Sequence, residues 1–111
     1  MTELLFTYGT LQNHDIQRAI FGRLLDGQSD ILEGYRKEWI DLNANNDSND
    51  EEFIYPIAVY SGCQEDAIEG FLYRLTFEEL LKADDYEGDS YQRTKVTLKS
   101  GTLCWIYEKR V

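Results

Sequence analysis

The apolar residues of this chain come in short runs, each cut off by glycine, proline or a cluster of polar side chains. No run approaches the roughly 18–20 apolar residues of a membrane-spanning helix. Only two segments carry helical spacing, so the chain has to build most of its core from short strands. Glu3 to Thr7, around Leu4-Leu5-Phe6, reads as a buried strand entering the turn Tyr8-Gly9-Thr10-Leu11. Asn13 then offers cap chemistry, and Ile16, Ala19, Ile20 and Leu24 fall on one helical face. Ile31 to Leu42 reads as one strand, and Phe53 to Tyr60 as another, with Pro56 marking an edge, a bulge or a strand start. Ala67 to Leu75 is a further strand in which Gly70 signals a bulge or a close backbone approach. Thr76 and Glu79 have the spacing of a capping box, opening a short second helix that leaves through Asp84 to Gly88. Tyr91 to Leu98 and Thr102 to Tyr107 flank Lys99-Ser100-Gly101, a hairpin signal. The sum is about six strands and two short helices in one α+β domain spanning 1–111, with a strongly curved or barrel-like sheet.

Charge and scarce residues narrow the function. Eleven basic against 21 acidic residues leave a net charge of −10, which argues against nucleic acid and against an anionic membrane surface as partners. The single histidine, His14, cannot build a multi-histidine metal site and lies in a helix-cap region, where an exposed side chain is expected. Cys63 and Cys104 stand far apart, without a C-x-x-C pair, and read as reduced, structural thiols. No basic-then-apolar leader follows Met1, so the expected compartment is the cytoplasm. Asn43 to Glu52 is almost wholly polar; its alternating Asn and Asp suggest calcium ligands, but Ser48 and Ile54 stand where that template needs Gly and Glu. A solvated loop is the expectation there.

Two features remain as candidate chemistry. Asp84, Asp85, Glu87 and Asp89 crowd four carboxylates around a helix C terminus, where acids oppose the helix dipole and repel one another. A wet helix end and a functional acid are equally open readings of that cluster. A carboxylate held there among Tyr86, Tyr91 and like charges would titrate high enough to act as a base near neutral pH. The turn Tyr8-Gly9-Thr10-Leu11, at a strand end before a helix, can turn backbone N–H groups onto a small anion. Together they suit a small substrate that carries its own carboxylate.

Several motifs in order resemble one family. They are Phe6-Thr7-Tyr8-Gly9-Thr10-Leu11, Phe21-Gly22-Arg23, Glu33-Gly34-Tyr35-Arg36, Tyr55-Pro56 and Ile68-Glu69-Gly70-Phe71-Leu72-Tyr73. Asp85-Tyr86-Glu87-Gly88 followed by Tyr91 and Arg93 is similar to its "D-x-E-G-x-x-Y-x-R". This is the γ-glutamylcyclotransferase-like superfamily, which includes the γ-glutamylamine cyclotransferases and the plant avirulence-induced-gene-like proteins. The resemblance implies a small mixed β-barrel with flanking helices, Glu87 as the catalytic base and acid, and no metal or cofactor. It also implies a γ-glutamyl substrate held by Tyr8, Gly9, Thr10 and Leu11, with Tyr91 orienting it, and 5-oxoproline as product. Arg93 is expected to pair with a nearby carboxylate. A non-catalytic module that binds a small anionic or γ-glutamyl metabolite in the same cavity is the alternative. The loop after Leu11 runs into Gln12-Asn13-His14 without the basic, Gly-containing continuation of the amine-specific members.

Overall fold

The structure, a computed structural model, describes residues 2–41 and 54–110, with the backbone alone for 40, 41, 54 and 55. The polar segment Asn43 to Glu52 and its calcium reading lie outside the described residues. Among the described residues, seven strands and two helices follow in the order β1 (Thr2–Thr7), a single 3-10 turn (Thr10–Gln12), α1 (His14–Phe21), β2 (Gly27–Glu33), β3 (Tyr35–Asp41), β4 (Ile54–Tyr60), β5 (Ala67–Thr76), α2 (Phe77–Glu87), β6 (Tyr91–Thr97) and β7 (Leu103–Lys109). Among the described residues, no helix is long and apolar enough to cross a membrane.

The expected strand Ile31 to Leu42 is two strands. Gly34, at φ 84°, turns the chain between β2 and β3, a backbone angle that glycine adopts without steric cost. Its carbonyl accepts from the N–H groups of Ser61 and Gly62, tying this turn to the end of β4. The polar start of β2, Gly27-Gln28-Ser29, hid it from a reading based on apolar runs.

All seven strands form one mixed sheet in the order β2-β5-β1-β7-β4-β3, with β6 on β7. The expected barrel is not formed, because among the described residues no ladder joins the end strands β2 and β3. Two apolar clusters bury the sheet instead. In one, Leu5, Ile57, Tyr73, Leu75 and Tyr107 pack with Leu11, Phe21 and the α2 residues Leu80 and Ala83. In the other, Phe6, Tyr8, Ala58, Cys104 and Ile106 meet Leu32, Tyr35 and Ile68. Neighbouring residues such as Leu5 and Phe6 therefore both bury, since successive strand side chains point to opposite faces.

The two helices form for the reasons their ends predict. The Asn13 side chain accepts from the N–H groups of Asp15 and Ile16, and Gly22 closes α1. The apolar face is rotated from the expected one: Gln17 and Phe21 are buried, Ile16 and Ile20 are partly covered, and Ala19 and Leu24 are exposed. Gln17 is tolerated inside because it donates to the Leu11 carbonyl at 2.9 Å and accepts from the Leu25 N–H at 3.0 Å. His14 is exposed at the start of this helix, as expected. In α2 the capping box is complete, Thr76 N–H donating to Glu79 at 2.8 Å and Glu79 N–H to Thr76 at 3.1 Å. Arg23 adds two hydrogen bonds of 2.8 Å to the same Glu79, whose carboxyl is held down to about 2 chiefly by that guanidinium. The helix runs on through Glu87 rather than leaving at Asp84.

β7 organises the sheet. One edge pairs with β6 over its whole length, from Tyr91↔Lys109 to Thr97↔Leu103. Its other edge is shared, with β1 in parallel at Leu5↔Trp105 and β4 in parallel at Ala58↔Glu108. β1 stops at Thr7, and the Tyr8 hydroxyl takes over between the other two strands. It donates to the Tyr107 carbonyl of β7 and accepts from the Ala58 N–H of β4 at 2.9 Å. Of the two thiols, Cys104 is buried between these strands, whereas Cys63 is exposed beyond the end of β4, contrary to the buried role expected of both.

β5 lies so close to β1 that a Cβ on Gly70 would stand 2.2 Å from the Thr7 carbonyl oxygen. Gly70→Ala is therefore expected to lower the unfolding free energy by about 3 kcal/mol, the upper end for overpacking. Urea denaturation monitored by circular dichroism measures this; a loss below about 0.5 kcal/mol, the range of neutral surface changes, contradicts the contact.

Candidate active site

The departure of β1 from β7 opens a cavity of about 160 Å³ at the edge of the helix-covered face. Its wall brings together all six residues singled out from the sequence: Tyr8, Gly9, Thr10 and Leu11 from the turn after β1, Glu87 from the end of α2, and Tyr91 from the start of β6. Thr7, Pro56, Tyr86 and Tyr107 complete much of the remaining surface.

Their side chains divide between building the cavity and facing it. The Tyr8 hydroxyl is spent on the β7–β4 junction, and burial raises its pKa well beyond the usual tyrosine range. Tyr91 donates to the Pro56 carbonyl at 2.8 Å, fastening β6 to β4. Tyr107 donates to Asp84 at 2.8 Å, and burial together with that carboxylate pushes its pKa far up. Thr10 and Tyr86 share a hydrogen bond of 2.7 Å between the turn and α2. Thr7 is buried, and its Oγ1 meets no hydrogen-bond partner among the described residues. The phenols read as substrate contacts in the sequence thus act first as struts.

Glu87 is different. It ends α2 half-buried on the cavity wall, and burial alone pushes its carboxyl up to about 7. No Lys, Arg or His forms an ion pair with it among the described residues; Arg93 pairs one helical turn earlier, with Asp84. Desolvation without a compensating cation stabilises the neutral acid. Gly9, Thr10 and Leu11 line the same cavity, and their N–H groups meet no acceptor among the described residues, as befits the opening of a 3-10 turn, whose first N–H groups have no intrahelical partner. The arrangement sets one proton-exchanging carboxyl beside a short row of backbone donors. Among the described residues no three His, Cys, Asp or Glu side chains converge as metal ligands.

Thr7 and Tyr107 were not singled out in the sequence, and Asp84 was named there only as one of four acids around the helix end. Strand alternation was the available signal for Thr7, since it shares the Leu5 face of β1. For Tyr107 it was the hairpin register, which places Arg93 directly opposite Tyr107. The motif comparison chose Asp85, which is exposed, whereas its neighbour Asp84 makes the bonds.

The family model for "Gamma-glutamyl cyclotransferase, AIG2-like" matches residues 5–111. The chain belongs to this family. Similar solved structures include a protein of Arabidopsis thaliana determined in solution, at TM-score 0.75 and 20% identity, covering 98% of this chain and 62% of that one. The chain thus spans less than two thirds of that relative. A structure described as a γ-glutamyl cyclotransferase matches at TM-score 0.74 and 13% identity, over 99% of this chain and 68% of that one. An uncharacterised protein of Pyrococcus horikoshii matches at TM-score 0.68 and 17% identity, over 96% and 77%. At such identities the likeness is one of fold. No curated protein matches the chain in sequence.

The raised Glu87 carboxyl makes the stability of this γ-glutamyl cyclotransferase family member depend on pH. Between the unfolded value near 4.5 and the folded value near 7, the folded protein holds a proton that the unfolded chain releases. That contribution is complete below pH 4.5 and is lost as pH rises through 7. Glu87→Gln removes it, so the variant is expected to gain on the wild type by up to about 3 kcal/mol between pH 4.5 and pH 8. Urea unfolding of both proteins at the two pH values measures the gain; an equal difference at both would mean that Glu87 is not buried.

Proposed function

We propose that this protein cyclises a γ-glutamyl amide to 5-oxoproline and releases an amine or amino acid, with Glu87 as base and then acid. The observation that supports this reading is the half-buried Glu87 carboxyl, without an ion-pair partner among the described residues, on the wall of a cavity that is also lined by Gly9, Thr10 and Leu11. A γ-glutamyl group carries its own nucleophile, the α-amine, on the same chain as the amide carbonyl it attacks. Ring closure is therefore intramolecular, and folding the substrate correctly supplies much of the acceleration.

In this reading Glu87 takes a proton from the α-ammonium, and the freed amine attacks the γ-carbonyl carbon. The N–H groups of Gly9, Thr10 and Leu11 hold the substrate carboxylate or the oxyanion that develops as the ring closes. The protonated Glu87 then gives its proton to the departing nitrogen as the C–N bond breaks, and, ionised again, takes the second proton from the ring nitrogen and passes it to the freed amine or to water. A pKa near 7 serves both halves, since the group must accept and return a proton at neutral pH. The cavity volume of about 160 Å³ is roughly half the lower end of drug-sized sites, which start near 300 Å³. It fits one γ-glutamyl group, with the leaving amine projecting outward.

Incubation with a panel of γ-glutamyl amides and amino acids, read by 5-oxoproline release, tests the proposal. Turnover is expected to rise with pH around an apparent pKa near 7. Glu87→Gln should lose roughly 10²–10⁴-fold in kcat, the usual share of general acid–base catalysis, while still binding the substrate. Binding without 5-oxoproline across the panel would instead identify a γ-glutamyl-metabolite binding module.

A further inference from the structure

The last turn of α2 should be the weakest part of that helix. It carries Asp84, Asp85 and Glu87 and no basic residue, so like charges repel one another and face the negative end of the helix dipole. Yet this repulsion falls where the carboxyl over the cavity has to be held steady. The compensation comes from outside the helix. Arg93 of β6 grips Asp84 with two hydrogen bonds, of 2.8 and 3.1 Å, and its guanidinium lies 4.2 Å above the Trp105 ring of β7. Tyr107 of β7 donates to the same Asp84 oxygen at 2.8 Å. Asp84 also lies three residues before Glu87, on neighbouring positions of the helix surface.

We propose that Asp84, clamped by Arg93 and Tyr107, is the positioning residue of this site, pinning the last turn of α2 so that the Glu87 carboxyl stays over the cavity. The inference rests on the reading of Glu87 as base and acid. Asp84 acts through geometry and touches no substrate; it lines a separate cleft outside the cavity, with Tyr107 as the wall between them. The bidentate fork resists rotation as well as translation of the carboxylate. The three elements α2, β6 and β7 are thus joined at one point beside Glu87.

The test compares Asp84→Asn with Asp85→Asn, which removes the same charge from the adjacent exposed position. Asp84→Asn is expected to lower kcat by 10- to 100-fold with KM changed less than threefold, a loss in keeping with about 1 Å of misplacement. Glu87 faces Tyr8 of β1, Tyr91 of β6, Tyr107 of β7 and Tyr86 of its own helix. A loosened turn would hydrate Glu87, so the acid limb of the rate profile should move below its wild-type position near pH 7. The double variant with Arg93→Gln shows whether a freed cation, rather than hydration, causes that move; a limb restored to the wild-type position would overturn the proposal. Asp85→Asn should leave both readouts unchanged. A lower melting temperature for Asp84→Asn with kcat and pH limb intact would make the clamp merely structural and overturn the proposal. Should Asp84→Asn fail to fold, Arg93→Lys, which keeps the charge but loses the fork, should show the same effects in smaller measure; wild-type behaviour would overturn it. NMR titration of the Glu87 carboxyl carbon separates the two readings if the wild type releases no 5-oxoproline. A lower Glu87 pKa in Asp84→Asn then supports the clamp although the catalytic reading has failed, and an unchanged titration overturns the clamp.

Discussion

The hydroxyl of Tyr8 stands where a strand is missing. β7 offers one edge to two parallel neighbours, and β1 leaves that edge at Thr7 while β4 holds it at Ala58. Without a group to bridge them, the backbone of Tyr107 and Ala58 would face an apolar interior unpaired, which costs as much as a lost hydrogen bond. The phenol satisfies both and holds the strands apart at the same time. The cavity is the space left beside that bridge, which is why Tyr8 belongs both to the fold and to the site.

The proposed chemistry suits so small an opening. A substrate that brings its own nucleophile needs from the protein one group to move protons and a few donors for anionic oxygens. The single histidine, exposed at the start of α1, and the two widely separated cysteines are no handicap to such a reaction. What the protein contributes is environment: apolar walls and tyrosine rings that take water from Glu87, and, among the described residues, no ion-pair partner to keep it ionised. The remaining hydroxyls hold the walls. Tyr91 fastens β6 to β4, Tyr107 fastens β7 to α2, and Thr10 meets Tyr86 across the rim.

Local signals in the sequence were read well where the cause was local. The capping box of α2, the Asn13 cap, the hairpin around Ser100 and the tight approach at Gly70 each depend on a few adjacent residues. Readings failed where the cause was distant. The turn at Gly34 was missed because β2 begins with polar residues whose place is secured by β5. The helix α2 was ended at Asp84 because its acids disfavour helix, and Arg93, which offsets them, comes from the next strand. The barrel was expected from strand number and strong curvature, but closure requires β2 and β3 to pair, and nothing in either strand reveals that they do not.

The order of the motifs was determined by the sequence alone, because a Gly-containing turn, a capped helix and an acidic helix end keep their character in any setting, while the resemblance to the family singled out Glu87 among four acids. That these pieces meet around one cavity, and that burial rather than like charge raises Glu87, was decided only by the tertiary structure. The physical reason is that a carboxyl's proton affinity is set by what surrounds it in space. Its surroundings here come from Tyr91 on the next strand, from Tyr107 on β7 and from the turn after β1 at the other end of the chain.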